Sequence, residues 1–154
     1  MSGARSIQEQ ASAMKRWSNF ELVGLNNRAN AVGWVGTVRP QFGEFSVKIV
    51  YSFMLPFPFV RVLEPELLQL PGNEEGRLPH VYPQYPGPVL CLFDPARNEW
   101  DRSMLIAETT VPWTYDWLGC YEMWTMTGRW VGGGRHYGEI IPPYAAPPRF
   151  EVAS

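Results

Sequence analysis

Phe45-Ser-Val-Lys-Ile-Val-Tyr-Ser-Phe-Met54 is the stretch that decides how this chain folds. Phe45, Val47, Ile49, Tyr51 and Phe53 alternate with Ser46, Lys48, Val50, Ser52 and Met54. Successive side chains of a strand point to opposite faces. A period of two, with aromatic and β-branched residues on one face, therefore reads as a half-buried antiparallel strand. Leu55-Pro-Phe-Pro58 interrupts it, because proline cannot donate to a central ladder. Phe59 to Leu63 reads as the following strand and Trp34 to Arg39 as the preceding one, with Pro40-Gln-Phe-Gly43 as the turn between. Short connections favour antiparallel neighbours, so these strands form a meander.

On the N-terminal side, Ser6-Ile-Gln-Glu9 has the form of a capping box. Ile7, Ala11 and Met14 then fall at helical spacing and Trp17 continues the stripe, which predicts a helix from about Ile7 to Phe20. Leu22 to Asn30 reads as a connector, with Gly24 and Asn26-Asn27 as breakers. On the C-terminal side, Pro65 to Arg77 reads as a loop with an acidic turn at Glu74-Glu75. Trp113, Trp117, Cys120, Tyr121 and Trp124 recur at i, i+4, i+7, i+8 and i+11, which predicts a strongly amphipathic helix from about Thr109 to Thr127. Pro112 suits its first turn and Gly128 its C-terminal cap. A sheet with one apolar face needs a helix across it, so the fold class is a two-layer α+β domain. That domain covers residues 1–139, and residues 140–154 form a Pro-rich, extended C-terminal tail.

Composition bounds what such a domain does. The 154 residues suit one domain, and 45 % apolar with 18 % charged residues is a globular balance. The net charge is −2, and no run of Lys or Arg points to nucleic acid or an anionic membrane. No apolar run approaches the ~18 residues of a membrane span, and the N-terminus lacks a signal-peptide core. Cys91 and Cys120 are the two cysteines, and with nothing else suggesting secretion they read as reduced thiols in a cytoplasmic protein.

The chemistry-bearing stretch is His80-Val-Tyr-Pro-Gln-Tyr-Pro-Gly-Pro-Val-Leu-Cys91-Leu-Phe-Asp-Pro95, with a tryptophan at position 100. Its Pro and Gly content excludes a regular helix, and a cysteine on a loop held by a rigid scaffold suits thiol chemistry. The ordered set resembles the active-site region of ubiquitin-conjugating enzymes. Tyr51 to Phe59 looks like a version of the Tyr-Pro-x-x-Pro-Pro segment of that family. His80 stands at the histidine of its His-Pro-Asn triplet, Leu90-Cys91-Leu92 at its nucleophile, and Trp100 at the tryptophan that follows. The resemblance implies a ubiquitin-conjugating fold from the first helix to about His136. It departs in two places. Val81 and Tyr82 replace Pro and Asn, so the asparagine that supports the oxyanion is missing, and no room remains for the last two helices of the eukaryotic enzymes. A Trp-rich helix followed by Trp130-Val-Gly-Gly-Gly-Arg-His136 is similar to the bacterial branch found in CBASS antiphage operons, beside a cGAS-like cyclic-nucleotide synthase. That resemblance implies that Cys91 captures the C-terminal tail of the synthase as a thioester for transfer to an amine on an unidentified acceptor.

Thioester transfer needs a thiolate nucleophile and donors near the developing oxyanion, each worth ~2.7–4 kcal/mol. Cys91 reads as the nucleophile or as a small buried apolar residue. His80 orders the loop or moves a proton. Tyr82, Asn98 and nearby backbone N–H groups are candidates for the oxyanion donor. Asp94 reads as a base, an amine-orienting carboxylate or a turn residue, and Tyr82, Leu92 and Asn98 as lining of a substrate groove. His136 is a candidate neighbour of the active loop, whereas Cys120 reads as core. The triple glycine before Arg135 follows a predicted helix, so it is a turn and not a dinucleotide fingerprint. Cys91, Cys120, His80 and His136 lack close-paired metal-ligand spacing, and no metal or other cofactor is expected. With no nucleotide motif, activated acyl groups must come from elsewhere, and an ending in Val-Ala-Ser suits a carrier better than a modifier. Two other classes compete: a catalytically silent binding module on the same fold, and a cysteine hydrolase built from Cys91, His80 and Asp94.

Overall fold

The computed structural model describes residues 3–73, 78–84, 86–93, 97, 99–130, 134–135 and 150–151. The first helix, α1, spans Ile7–Met14 and opens with the expected capping box. Ser6 Oγ accepts the Glu9 N–H at 3.0 Å, and the Glu9 carboxylate accepts the Ser6 N–H at 2.8 Å. Ile7, Gln10 and Met14 are buried. Gln10 is hydrogen-bonded at both ends of its amide there: the NH2 donates to the Met104 carbonyl and the oxygen accepts from the Ile106 N–H, both at 2.9 Å. The helix is shorter than the apolar spacing predicts. After Met14 the N–H groups of Lys15, Arg16 and Trp17 bond to carbonyls three residues back, tightening the chain into a turn. Trp17 still faces inward, but its indole N–H is claimed by the Ala107 carbonyl at 2.8 Å.

The segment expected as a connector is a strand. β1 spans Phe20–Asn26, and β2 spans Ala31–Val38, three residues earlier at its start than expected. Only Phe20 of β1 is buried, and its pairing with β2 is broken by a register shift between Leu22 and Gly24. An edge strand with a bulge and no buried face carries no period-two signal, which is why its glycine and asparagines read as breakers. Gly36 marks where β1 crowds β2: a Cβ there would lie 2.6 Å from the Asn19 carbonyl oxygen and 2.5 Å from the Phe20 ring.

β3 (Phe45–Ser52) and β4 (Phe59–Glu64) complete an antiparallel sheet in the order β1-β2-β3-β4. Phe45, Val47, Ile49 and Tyr51 are buried as their alternation predicts. Helix α2 (Thr110–Thr127) follows a 3-10 turn at Ile106–Glu108 and joins the same core, where Tyr121 meets Phe45 edge-on at 5.9 Å. Gly128 ends the helix in the left-handed region, φ 78°, donating to the Trp124 carbonyl. All five residues of the expected stripe are buried, but so are Thr110, Val111, Thr114, Leu118 and Glu122. The helix is covered on more than one side. Tyr115 stacks on Trp17 at 5.7 Å, Glu122 binds the β2–β3 turn, and Trp113 packs on Phe93 at 5.6 Å. The chain is thus an α+β domain with an N-terminal helix, a four-stranded antiparallel sheet and a C-terminal helix. Short pairs β5 (Val81–Tyr82) with β6 (Val89–Leu90), and β7 (Gly134–Arg135) with β8 (Phe150–Glu151), complete it. The acidic turn at Glu74-Glu75 and most of the C-terminal tail lie outside the described residues.

Candidate active site

The cysteine loop is built as a minimal hairpin. Val81 pairs with Leu90 and Tyr82 with Val89; Pro83, Pro86 and Pro88 in the connection cannot donate, so the ladder stays at two pairs. Arg61 of β4 fastens this hairpin to the sheet, its Nε donating to the Gly87 carbonyl at 3.2 Å. His80 enters the hairpin with φ 63°, a left-handed conformation that costs a side chain of this size free energy unless its surroundings enforce it. The surroundings do. The His80 carbonyl accepts the Cys91 N–H at 2.9 Å and the Trp117 indole N–H at 3.0 Å. Its imidazole is fully buried, edge-to-face on Trp130 at 4.5 Å, and Trp130 in turn meets Trp117 at 5.1 Å. His80 therefore ties the cysteine to α2 through its main chain.

Cys91 follows β6 and is 0 % exposed, between Leu90 and Leu92, which are themselves buried. Its thiol is directed at the Phe93 carbonyl, 3.7 Å away. Phe93 is wedged between Phe57, at 5.0 Å, and Trp113. Tyr82 is half-buried, and its ring lies 6.1 Å from Phe57. Trp100 is buried behind Tyr51 at 5.3 Å, with its indole N–H on Thr109 Oγ1 at 3.1 Å. Of the backbone donors nearest the sulfur, the Cys91 N–H is committed to His80, so it is spent as an oxyanion donor while this hairpin holds. Cys120, expected in the core, is buried on α2. Asp94, Asn98 and His136 lie outside the described residues, as do Gly132 and Gly133.

Two residues that hold the site's surroundings, and one titratable group on α2, carry no motif. Arg61 is the first. The second is Arg102, whose guanidinium donates to the carbonyls of Phe53 and Leu55 and lies 5.3 Å over the Phe53 ring, pinning the β3–β4 connection. Burial raises the Tyr51 phenol above its ordinary pKa, and the Arg102 charge works against that rise. The third is Asp116, half-buried on α2 three residues after Trp113 and four before Cys120, with its pKa raised by loss of solvent. A proline-rich hairpin hints at an anchored loop, but which arginine holds it depends on a contact made 26 residues away in the chain.

Among the described residues no group of three or more His, Cys, Asp or Glu side chains is placed to hold a metal ion, and no helix is long and apolar enough to cross a membrane. Fold and site together define an α+β domain whose cysteine hairpin is clamped between a sheet edge and a tryptophan-rich helix. The chain belongs to the family described as Type II CBASS E2 protein, which it matches over residues 10–137, a span that includes the cysteine hairpin, Trp100 and α2. Membership assigns it a part in bacterial CBASS antiphage defence, with partners inside that system. No curated protein matches the chain.

Proposed function

We propose that this protein is a ubiquitin-conjugating-type acyl carrier on a ubiquitin-conjugating fold, with Cys91 as the residue that accepts the acyl group. The observation that carries the reading is the fixed hairpin: in a chain of the CBASS E2 family, the one cysteine of the resemblance has its backbone locked onto His80 and through it onto Trp117. The donor is an already activated acyl group, a thioester on another protein, and the acyl group belongs to the C-terminal tail of a cGAS-like synthase. The Cys91 thiol loses its proton, the thiolate attacks the carbonyl, the donor sulfur leaves as a thiolate that takes up a proton, and the tail is held as a thioester. An amine then attacks the same carbon, the Cys91 thiol is released and an amide forms. His80 serves as a positioning residue in this scheme. Reaction needs sulfur within ~3–3.5 Å of the carbonyl carbon, so the buried Cys91 must be uncovered when the tail arrives.

That same burial favours a second reading, a silent binding module in which Cys91 is only core. Co-expression with a cGAS-like synthase from the same CBASS system separates the two. The acyl-carrier reading expects a covalent, thiol-labile species that Cys120→Ser keeps, that Cys91→Ser converts to a stable ester or abolishes, and that disappears when the last few residues of the synthase are removed. A species that survives both Cys91→Ser unchanged and tail truncation sinks the acyl-carrier reading. A non-covalent complex indifferent to Cys91 favours the binding module.

A further inference from the structure

Away from the cysteine, large apolar side chains gather in the open at one end of the molecule. Phe42 of the β2–β3 turn is 69 % exposed, Leu68 beyond β4 is 57 % exposed and Met126 in the last turn of α2 is 58 % exposed. They border a groove of about 450 Å3 to which Phe45 and Tyr121 also contribute. Its walls are held rigidly. The buried Glu122 carboxylate accepts the N–H groups of Gln41, Phe42 and Gly43 at 2.6–3.2 Å, fixing the turn that carries Phe42. The Leu68 N–H donates to the Tyr121 hydroxyl at 2.7 Å, fixing the opposite wall. A wall ordered before binding spares a ligand part of the ordering cost.

The rim is electronegative. Glu66 lies on the groove, and Glu44 and Glu64 line the depression that adjoins it at Pro65. Glu44 is bridged to Arg39 at 3.1 Å, which leaves Glu64 and Glu66 as the charges that set the sign. Among the described residues no Lys or Arg lines either hollow, and the last turn of α2 carries no basic residue. Glu122 and Met126 lie across α2 from Trp113, which faces the cysteine hairpin, and no residue of the hairpin lines the groove among the described residues. An occupant of the groove would therefore bind without touching Cys91.

We propose that this groove docks a basic amphipathic protein segment, one with two or more aliphatic or aromatic anchors at helical spacing flanked by Lys or Arg. An apolar strip inside an acidic rim selects that chemistry over a neutral or acidic peptide. The site does not depend on the acyl-transfer reading. The test is to pan a random peptide display library against the full chain and score binders on wild type and on a Phe42→Ser/Met126→Glu variant. The proposal expects enriched peptides with a Lys/Arg excess and apolar anchors, amide shifts at Phe42, Leu68 and Met126, and binding that weakens as salt rises. The double variant should lose binding at least tenfold while its Cys91 alkylation rate stays at the wild-type value. Should the double variant misfold, Glu66→Lys, at an exposed position, should still weaken binding several-fold. Recovery of no groove-dependent binder, or of binders that are neutral or acidic, or indifference to Glu66→Lys, overturns the proposal.

Discussion

Trp117 is where the fold and the cysteine hairpin can be tested with one position. Its side chain is fully buried, stacked on Tyr121 at 5.6 Å and edge-on to Trp130, and its indole N–H completes the His80 carbonyl. Trp117→Ala removes the whole ring from a packed core and should cost about 3–5 kcal/mol. Trp117→Phe keeps most of the packing and deletes the hydrogen bond. The His80 carbonyl retains the Cys91 N–H, so it is not orphaned, and the loss should be about 1–2 kcal/mol including the smaller ring. Urea unfolding measures both, as a lower midpoint at unchanged slope. The hairpin gives a second readout in a Cys120→Ser background. If the lost bond loosens His80 by about 1 kcal/mol, Cys91 in Trp117→Phe should alkylate about fivefold faster under native conditions. A Trp117→Ala variant within about 1 kcal/mol of wild type would refute the packing argument. Unchanged alkylation in a destabilised Trp117→Phe would refute the coupling to the cysteine.

Two further outcomes follow from single residues. Burial holds the Asp116 carboxyl above its ordinary pKa, so the unfolded chain gives up this proton at lower pH than the folded one. The burden on stability is absent below the unfolded value and grows as pH rises toward and through the folded one. Asp116→Asn should therefore raise the melting temperature at pH 7 and do so less at pH 3; an equal gain at both would exclude the charge as the cause. Gly36→Ala drives a methyl against the Asn19 backbone and should cost at least about 1–3 kcal/mol; a neutral result in urea unfolding would mean that β1 moves freely off β2.

The parts of the fold legible in the chain are those whose signal is local. The Ser6–Glu9 box, the alternation from Phe45 to Tyr51 and the Gly128 cap each need only neighbours a few residues apart, and each is in place. β1 was illegible because an edge strand with exposed Leu22, Val23 and Leu25 has no inside to alternate against. α1 was overread because Trp17 faces the core without belonging to the helix. The width of burial on α2 depends on what packs against each flank, which spacing along α2 does not contain. At the site, the sequence places His80 and Cys91 on one Pro- and Gly-rich loop, but it does not show the hairpin that joins them or the bond from the Cys91 N–H to the His80 carbonyl. The left-handed turn at His80, the second donor from Trp117 and the anchors from Arg61 and Arg102 were not legible either. The donor and the two anchors come from contacts between 26 and 49 residues apart in the chain, and the turn at His80 is held by that donor together with Cys91 and Trp130.

Six of the seven tryptophans, Trp34, Trp100, Trp113, Trp117, Trp124 and Trp130, are at most 6 % exposed. That interior makes the protein its own optical probe. Buried indoles emit at shorter wavelength than hydrated ones, so folding should be visible in intrinsic fluorescence without a label. The edge of the His80 imidazole on Trp130, 4.5 Å between ring centres, adds a local channel, because it joins an indole to the cysteine hairpin. Any event that lifts the hairpin off the helix would separate that pair and change the light the protein gives out, before a single covalent bond is made at the sulfur.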